Sequence, residues 1–185
     1  TEQMVMVPLH LGSDYEAAQR IQFTKDVTTR LGAMPGTEGV AAGLTAPFQY
    51  VGASRCCIWH EASEHGGSGS VDPLPMVMTH PVTAGYFETL DAAIIDGREF
   101  DASDEAGDGR VLIINQPMAR YFFGMEEAVG RSLDLGNWGT FTVIGVARGV
   151  RHWGPAQGIP PAAYVSYSHW GAFSEFFNLV VRSSS

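Results

Sequence analysis

The sequence predicts an α+β fold, on three observations. Strand-like segments outnumber helical ones, the helices are dispersed between them rather than gathered into a bundle, and the first fifty residues read β-α-β. With 185 residues and 45% apolar content, the chain is long enough to bury a substantial core.

Met4–Leu11 is β-rich, and Pro8 within it marks an edge or a bulge. Ser13 and Glu16 have the spacing of a capping box and announce a helix. Ala17, Ile21, Phe23, Val27 and Leu31 then form its apolar stripe, and Pro35-Gly36 ends it. Gly39–Leu44 is the second strand. Arg55–Glu61 is strand-like, 65–70 is a Gly/Ser loop, and Met76–His80 is a further strand. Thr83 is expected to cap a short helix presenting Tyr86, Phe87 and Leu90 on one face. A turn is expected at Asp96-Gly97, and 101–109 reads as an acidic surface loop.

Val111–Ile114 is a continuous apolar run, hence a strand buried on both faces. Asn115 caps the next helix, with Pro117 in its first turn, and Gly124 stops it. Arg131–Leu135 and Thr140–Val146 form a hairpin around residues 136–139. Gly145 within the second of these is a bulge or close-packing position. Tyr164–Tyr167 and Phe176–Arg182 complete the strands.

Composition excludes several functions. Acids outnumber bases 20 to 11, a net charge of −9, which argues against a nucleic-acid surface. No polybasic run suggests an anionic lipid surface, and no apolar stretch reaches the roughly 18–20 residues that cross a bilayer. There is no Gly-x-x-x-x-Gly-Lys loop to cradle phosphates and no Gly-x-Ser-x-Gly elbow. Cys56 and Cys57 are adjacent, and in a strand they point to opposite faces, so they read as two unpaired thiols. His60 and His65 nearby superficially suggest a soft metal site, but divergent neighbours do not make a tetrahedron. Asp101, Asp104, Glu105 and Asp108 lack the register of a calcium loop. Arg98 is a surface residue that could brace a neighbouring loop.

Three stretches carry a pattern together. The first is Val82 to Leu90 (VTAGYFETL) with Ile94 to Phe100 (IIDGREF). The second is Val111 to Phe123 (VLIINQPMARYFF) with Val129 to Leu133 (VGRSL), and the third is Phe141 to His152 (FTVIGVARGVRH). In this order they resemble the MacB-like periplasmic core domain of FtsX-like ABC transporter permeases, especially the orphan group with duplicated halves. Leu31 to Gly36 is similar to that family's Leu-Pro-Gly helix ending. Ala84, Asp91 and Ala128 depart from it, standing where Pro, Gly and Pro are usual; these touch turn shape rather than class.

The resemblance implies a porter-like β-α-β part, residues 1–54 and 174–185, with a strand-rich, sabre-like part, 55–173, inserted into it. The family's pattern runs on past Arg182 with another helix and strand, so the porter-like part is expected to be truncated and the chain to be an excerpt. The resemblance further implies an inner-membrane protein with this domain on the periplasmic side, between two transmembrane helices. Its partners would be its own membrane helices, a separate ABC ATPase subunit, a periplasmic partner protein and a second copy in the full-length dimer. ATP would bind to the separate nucleotide-binding subunit, leaving this domain without a cofactor, metal or catalytic residue. It would act by coupling ATP-driven helix motion to extracytoplasmic partners or substrates.

Trp138, at the expected hairpin tip, and Trp153 and Trp170, beside Gly/Pro-rich loops, are the candidate partner contacts; the competing reading folds each indole onto its own sheet. Two other functions stay open. An extracytoplasmic ligand-binding or sensory module would need an enclosed apolar pocket. A metal-dependent hydrolase would need clustered ligands with shifted pKa values.

Overall fold

A computed structural model of the chain describes residues 2–45, 60–61, 77–107, 110–124, 127–134, 139–151, 158–170 and 175–184. The elements are β1 (Glu2–His10), α1 (Ala17–Gly32), β2 (Thr37–Gly43), β3 (His60–Glu61), β4 (Met78–Val82), α2 (Tyr86–Thr89), β5 (Ile94–Gly97) and α3 (Ala102–Ala106). They continue with β6 (Val111–Asn115), α4 (Gln116–Phe123), β7 (Ser132–Asp134), β8 (Thr140–Ala147), β9 (Ala162–Ser166), α5 (Tyr167–Trp170) and β10 (Phe176–Ser184). Among the described residues the strands form one mixed sheet in the order β1-β10-β2-β4-β9-β6-β8-β7-β3, with β5 paired to β8. The α+β expectation holds.

The first and last parts of the chain make one end of this sheet. β10 pairs antiparallel with both β1 and β2, so β1 and β2 run parallel and α1 carries the chain between them. The face of α1 that packs down is centred on Thr24, fully buried, with Val27 and Leu31 against Leu11, Ala42, Phe177 and Leu179. Phe23 sits beside that face and is 36% exposed, because 100° per residue carries it past the stripe's edge. The helix also starts later than expected. Its capping box is Glu16 with Gln19, not Ser13 with Glu16: the Glu16 N–H donates to Gln19 Oε1 at 2.8 Å. Thr24 and Thr28 donate their hydroxyls to carbonyls one turn back, which lets polar residues occupy a buried helix face.

Everything from β4 to β9 lies in sequence between β2 and β10, and in the sheet beyond β2. β4 runs parallel to β9, and β6 parallel to β8 and antiparallel to β9. β6 is the centre: Leu112 and Ile114 enter the cluster under α4, with Met118, Leu133 and Val143, while Ile113 enters the opposite cluster with Met78, Phe87 and Tyr164. All three are fully buried, as a run of apolar residues without alternation requires.

Three local expectations are corrected. Asp96-Gly97 is not a free turn: both residues pair with β8, and Ile95 is the extra residue of a bulge. Residues 101–109 are not wholly loop, since Asp101 accepts from the Ser103 N–H at 2.8 Å and starts α3. Thr83 does not cap α2; Gly85, with φ 76°, stands at that position. Gly145 behaves as expected: the β6–β8 register shifts beside it, and a Cβ there would run into the Arg98 carbonyl.

Candidate functional site

Geometry assigns the two ends of the chain to one place. β1 and β10 stay in register from His10↔Phe176 to Glu2↔Ser184, so the described chain ends side by side at one edge. The opposite end of the ribbon lies about 27 Å away, at ~3.4 Å per residue. There His10 stacks on Phe176 with centroids 4.2 Å apart, and its Nε2 lies 3.3 Å from the Glu175 carboxylate.

Near the terminal edge, a cleft of about 340 Å³ opens between Met4 of β1 and the segments that follow α2 and β8, lined by Leu90, Asp91, Ala92, Arg148 and Val150 among others. It is an open groove with cations and a carboxylate intermixed, not an enclosed apolar pocket. Asp91 adopts φ 52° there because it follows the end of α2: Ala92 N–H reaches back to the Phe87 carbonyl at 2.8 Å, closing a Schellman-type turn.

The junction between β2 and β4 buries a cluster of polar side chains, Thr45, His80, Thr83 and Asn178. Thr83 N–H donates to the Ala42 carbonyl and the Ala42 N–H donates to Thr83 Oγ1, each at 2.9 Å. Thr45 Oγ1 shares a hydrogen bond with His80 Nδ1, and Tyr86 donates its hydroxyl to the Thr45 carbonyl at 3.2 Å. His80 stacks on Tyr164 at 5.3 Å, and Asn178 Nδ2 donates to the Leu44 carbonyl at 3.0 Å. Burial pushes the Tyr86 and Tyr164 hydroxyls well above the ordinary phenol range, so both are neutral hydrogen-bonding groups at any physiological pH.

Three carboxylates organise the neighbouring turns. Glu99 accepts from the Phe87 N–H at 2.9 Å and the Glu88 N–H at 3.2 Å, at the N-terminus of α2. Its half-buried position raises its pKa against the pull of those donors. Glu105 accepts from the Ala84 N–H at 3.0 Å. Arg98 grips Asp104 with both Nη atoms, at 2.6 and 2.9 Å, and donates to the Glu99 carbonyl, which fulfils its expected bracing role. That grip holds the Asp104 carboxyl below the usual carboxylate range, and the Ser103 hydroxyl with neighbouring N–H groups does the same for Asp101. Asp101 thus serves as a helix cap, Asp104 as an ion-pair partner and Glu105 as an acceptor for the Ala84 N–H, while Asp108 lies outside the described residues. Among the described residues no three His, Cys, Asp or Glu side chains converge as metal ligands. No helix among them is long and apolar enough to cross a membrane.

Of the three candidate contacts, Trp138 and Trp153 lie outside the described residues; Trp170 ends α5, and its side chain also lies outside them. Cys56, Cys57, His65 and His152 are outside as well, while His60 is placed by its backbone in β3. His169 donates Nε2 to the Gly107 carbonyl at 2.8 Å, joining α5 to the end of α3. The junction residues Gly39, Gly43 and Thr83 were not singled out as functional by the sequence. Their roles depend on contacts some forty residues away, and only the capping-type Thr83 carries any local signal.

The family described as MacB-like periplasmic core domain matches residues 10–185. Among solved structures, the chain is similar to the extracellular domain of the noncanonic ABC-type transporter YknZ from Gram-positive bacteria, at 21% identity and a TM-score of 0.57, covering 99% of this chain and 84% of that one. It is also similar to the periplasmic region of MacB from Actinobacillus actinomycetemcomitans, at 14% identity and a TM-score of 0.62, covering 97% and 74%. A domain of a permease protein from Porphyromonas gingivalis aligns at 13% identity and a TM-score of 0.50, covering 95% and 64%. No curated protein matches significantly.

Proposed function

The chain belongs to the MacB-like periplasmic core domain family, the periplasmic domain of MacB- and YknZ-like ABC transporter permeases, and from that premise we propose that it couples ATP-driven motion of membrane helices to partners or substrates outside the cytoplasm. The observation that carries the proposal is the Glu2↔Ser184 pair. The ribbon makes the first and last described strands one hydrogen-bonded unit, so a displacement entering through either strand reaches both. Displacement of either membrane helix then acts on the same strand pair.

On this reading residues 1–54 with 174–185 form the porter-like part and 55–173 the inserted sabre-like part. The permease sits in the inner membrane with this domain on its periplasmic side. Its own transmembrane helices, a separate ABC ATPase subunit, a periplasmic partner protein and a second permease copy complete the assembly. ATP binds to the ATPase subunit, and the domain contributes contact and motion without a catalytic residue. Trp138, Trp153 and Trp170 keep their assignment as partner contacts.

The test labels the parent transporter at Ala18→Cys on α1 and Glu127→Cys after α4, both solvent-facing, with Cys56 and Cys57 replaced by serine. Spin-label distances are compared without nucleotide and with trapped ATP. A nucleotide-dependent change in distance or in its spread supports coupling. Distributions that superimpose in both states, in a transporter that still hydrolyses ATP, would refute it.

A further inference from the structure

The terminal and inserted parts of the sheet are joined by very little ladder. β10 and β2 pair over six positions, and β4 and β9 over five, but β2 and β4 pair at the single position Gly43↔Val82. One flanking main-chain bond on each side, Leu44 N–H to the Pro81 carbonyl and Thr83 N–H to the Ala42 carbonyl, extends it. A seam this short is a poor lever.

Two features span the seam: Tyr167 of α5, buried with Ala42, Phe177 and Leu179, and α2, whose contact with β2 is the closer fitted. Gly39 and Gly43 are four apart on β2 and so share a face of the strand. Tyr86 and Thr89, three apart on α2, share a face of the helix. The two faces meet without clearance: a Cβ on Gly39 would lie 3.0 Å from Thr89 Oγ1 and 3.3 Å from Thr89 Cα, and a Cβ on Gly43 would lie 3.1 Å from Tyr86 Cε2. Neither glycine has a left-handed φ, so close approach rather than backbone freedom is what their missing side chains provide. Through the main-chain N–H groups of its first turn and the residues just before it, α2 is tied to the inserted part. The Phe87 and Glu88 N–H groups bond Glu99, and the Ala84 N–H bonds Glu105.

We propose that α2, seated by Tyr86 and Thr89 on the Gly39 and Gly43 notches and anchored by Glu99 and Glu105, is the element that couples the terminal strands to the inserted strands. This rests on the coupling role proposed above for the domain, but its energetic form is testable on this chain alone, so the two can fail separately.

Native-state hydrogen exchange in low urea reads the coupling directly, through amides of Leu179 and Val180 in β10 against those of Ile113 and Ile114 in β6. In the parent chain both sets are expected to exchange through one shared opening. In the Gly39→Ala/Gly43→Ala double variant the β10 set is expected to exchange roughly 10–100-fold faster than the β6 set, as two separate cooperative units would. Should the double variant not fold, Thr89→Ala, which empties the Gly39 notch without a clash, is expected to separate the two sets in the same direction by a smaller factor. Two outcomes overturn the inference. One is a parent chain whose two sets already exchange independently; the other is variants whose two sets remain locked together, whether or not they are destabilised.

Discussion

Replacing Asn115 by alanine should be among the most damaging single changes in the described core. The side chain is fully buried and makes three bonds: Oδ1 accepts from the Met118 N–H and the Ala162 N–H, both at 3.0 Å, and Nδ2 donates to the Pro160 carbonyl at 2.6 Å. It thereby starts α4 and fixes the entry of β9 against β6. Losing the cap costs about 1 kcal/mol. Leaving the Ala162 N–H and the Pro160 carbonyl without partners adds about 1–3 kcal/mol each. The expected total, roughly 3–7 kcal/mol, is a large share of the ~5–15 kcal/mol that holds a typical domain folded. Urea titration should show the midpoint fall by that free energy divided by the slope m, with m itself unchanged.

Asn115→Asp sharpens the test. It keeps the acceptor for both N–H groups but, when ionised, turns a carboxylate oxygen on the Pro160 carbonyl. Burial and that repulsion raise its folded pKa above the unfolded value of ~3.9, so the folded state binds more protons. Stability should then fall as pH rises through the folded pKa and recover on acidification, where the neutral acid donates to Pro160. A cost under about 1 kcal/mol for Asn115→Ala, or an Asn115→Asp variant as stable as the parent at pH 7, would rule out this role for the side chain.

Two further outcomes are expected. Glu99 has a raised folded pKa, from burial first, so its ionisation opposes folding as pH climbs above the ordinary carboxylate range. Glu99→Gln should flatten that decline relative to the parent in urea titrations across acidic to neutral pH; an unchanged pH slope would count against the assignment. Asp91 occupies a left-handed conformation, φ 52°, at the end of α2. Asp91→Gly should therefore stabilise the chain by about 0.5–1 kcal/mol, visible as a rise of a few degrees in Tm, and a fall would mean the aspartate makes a compensating contact.

The parts legible from sequence are those whose causes are local. The β1-α1-β2 order, the buried β6 run and the Asn115 cap each rest on a periodicity or a spacing within a few residues. α1 is capped by Glu16 rather than Ser13 because two capping spacings overlap there, and the one that forms pairs Glu16 with Gln19. Thr83 looks like a cap in isolation, yet its hydroxyl is taken by the Ala42 N–H across the seam. Asp101–Asp104 reads as solvated charge until Arg98 is placed beside it. Parallel pairings such as β4 with β9 unite segments about eighty residues apart, and no local pattern encodes them. The glycine seats of α2 belong to the same class of long-range information.

Coupling to partners outside the cytoplasm requires that this domain lie there, on the periplasmic side of the membrane. In cells expressing the parent permease with Cys56 and Cys57 replaced by serine, the solvent-facing Ala18→Cys and Glu127→Cys would each be challenged with a membrane-impermeant maleimide, after any outer membrane is permeabilised. The expected result is labelling of both positions while the inner membrane stays sealed and a cytoplasmic control cysteine stays unlabelled. Labelling of either position only after the inner membrane is broken would place the domain on the cytoplasmic side instead.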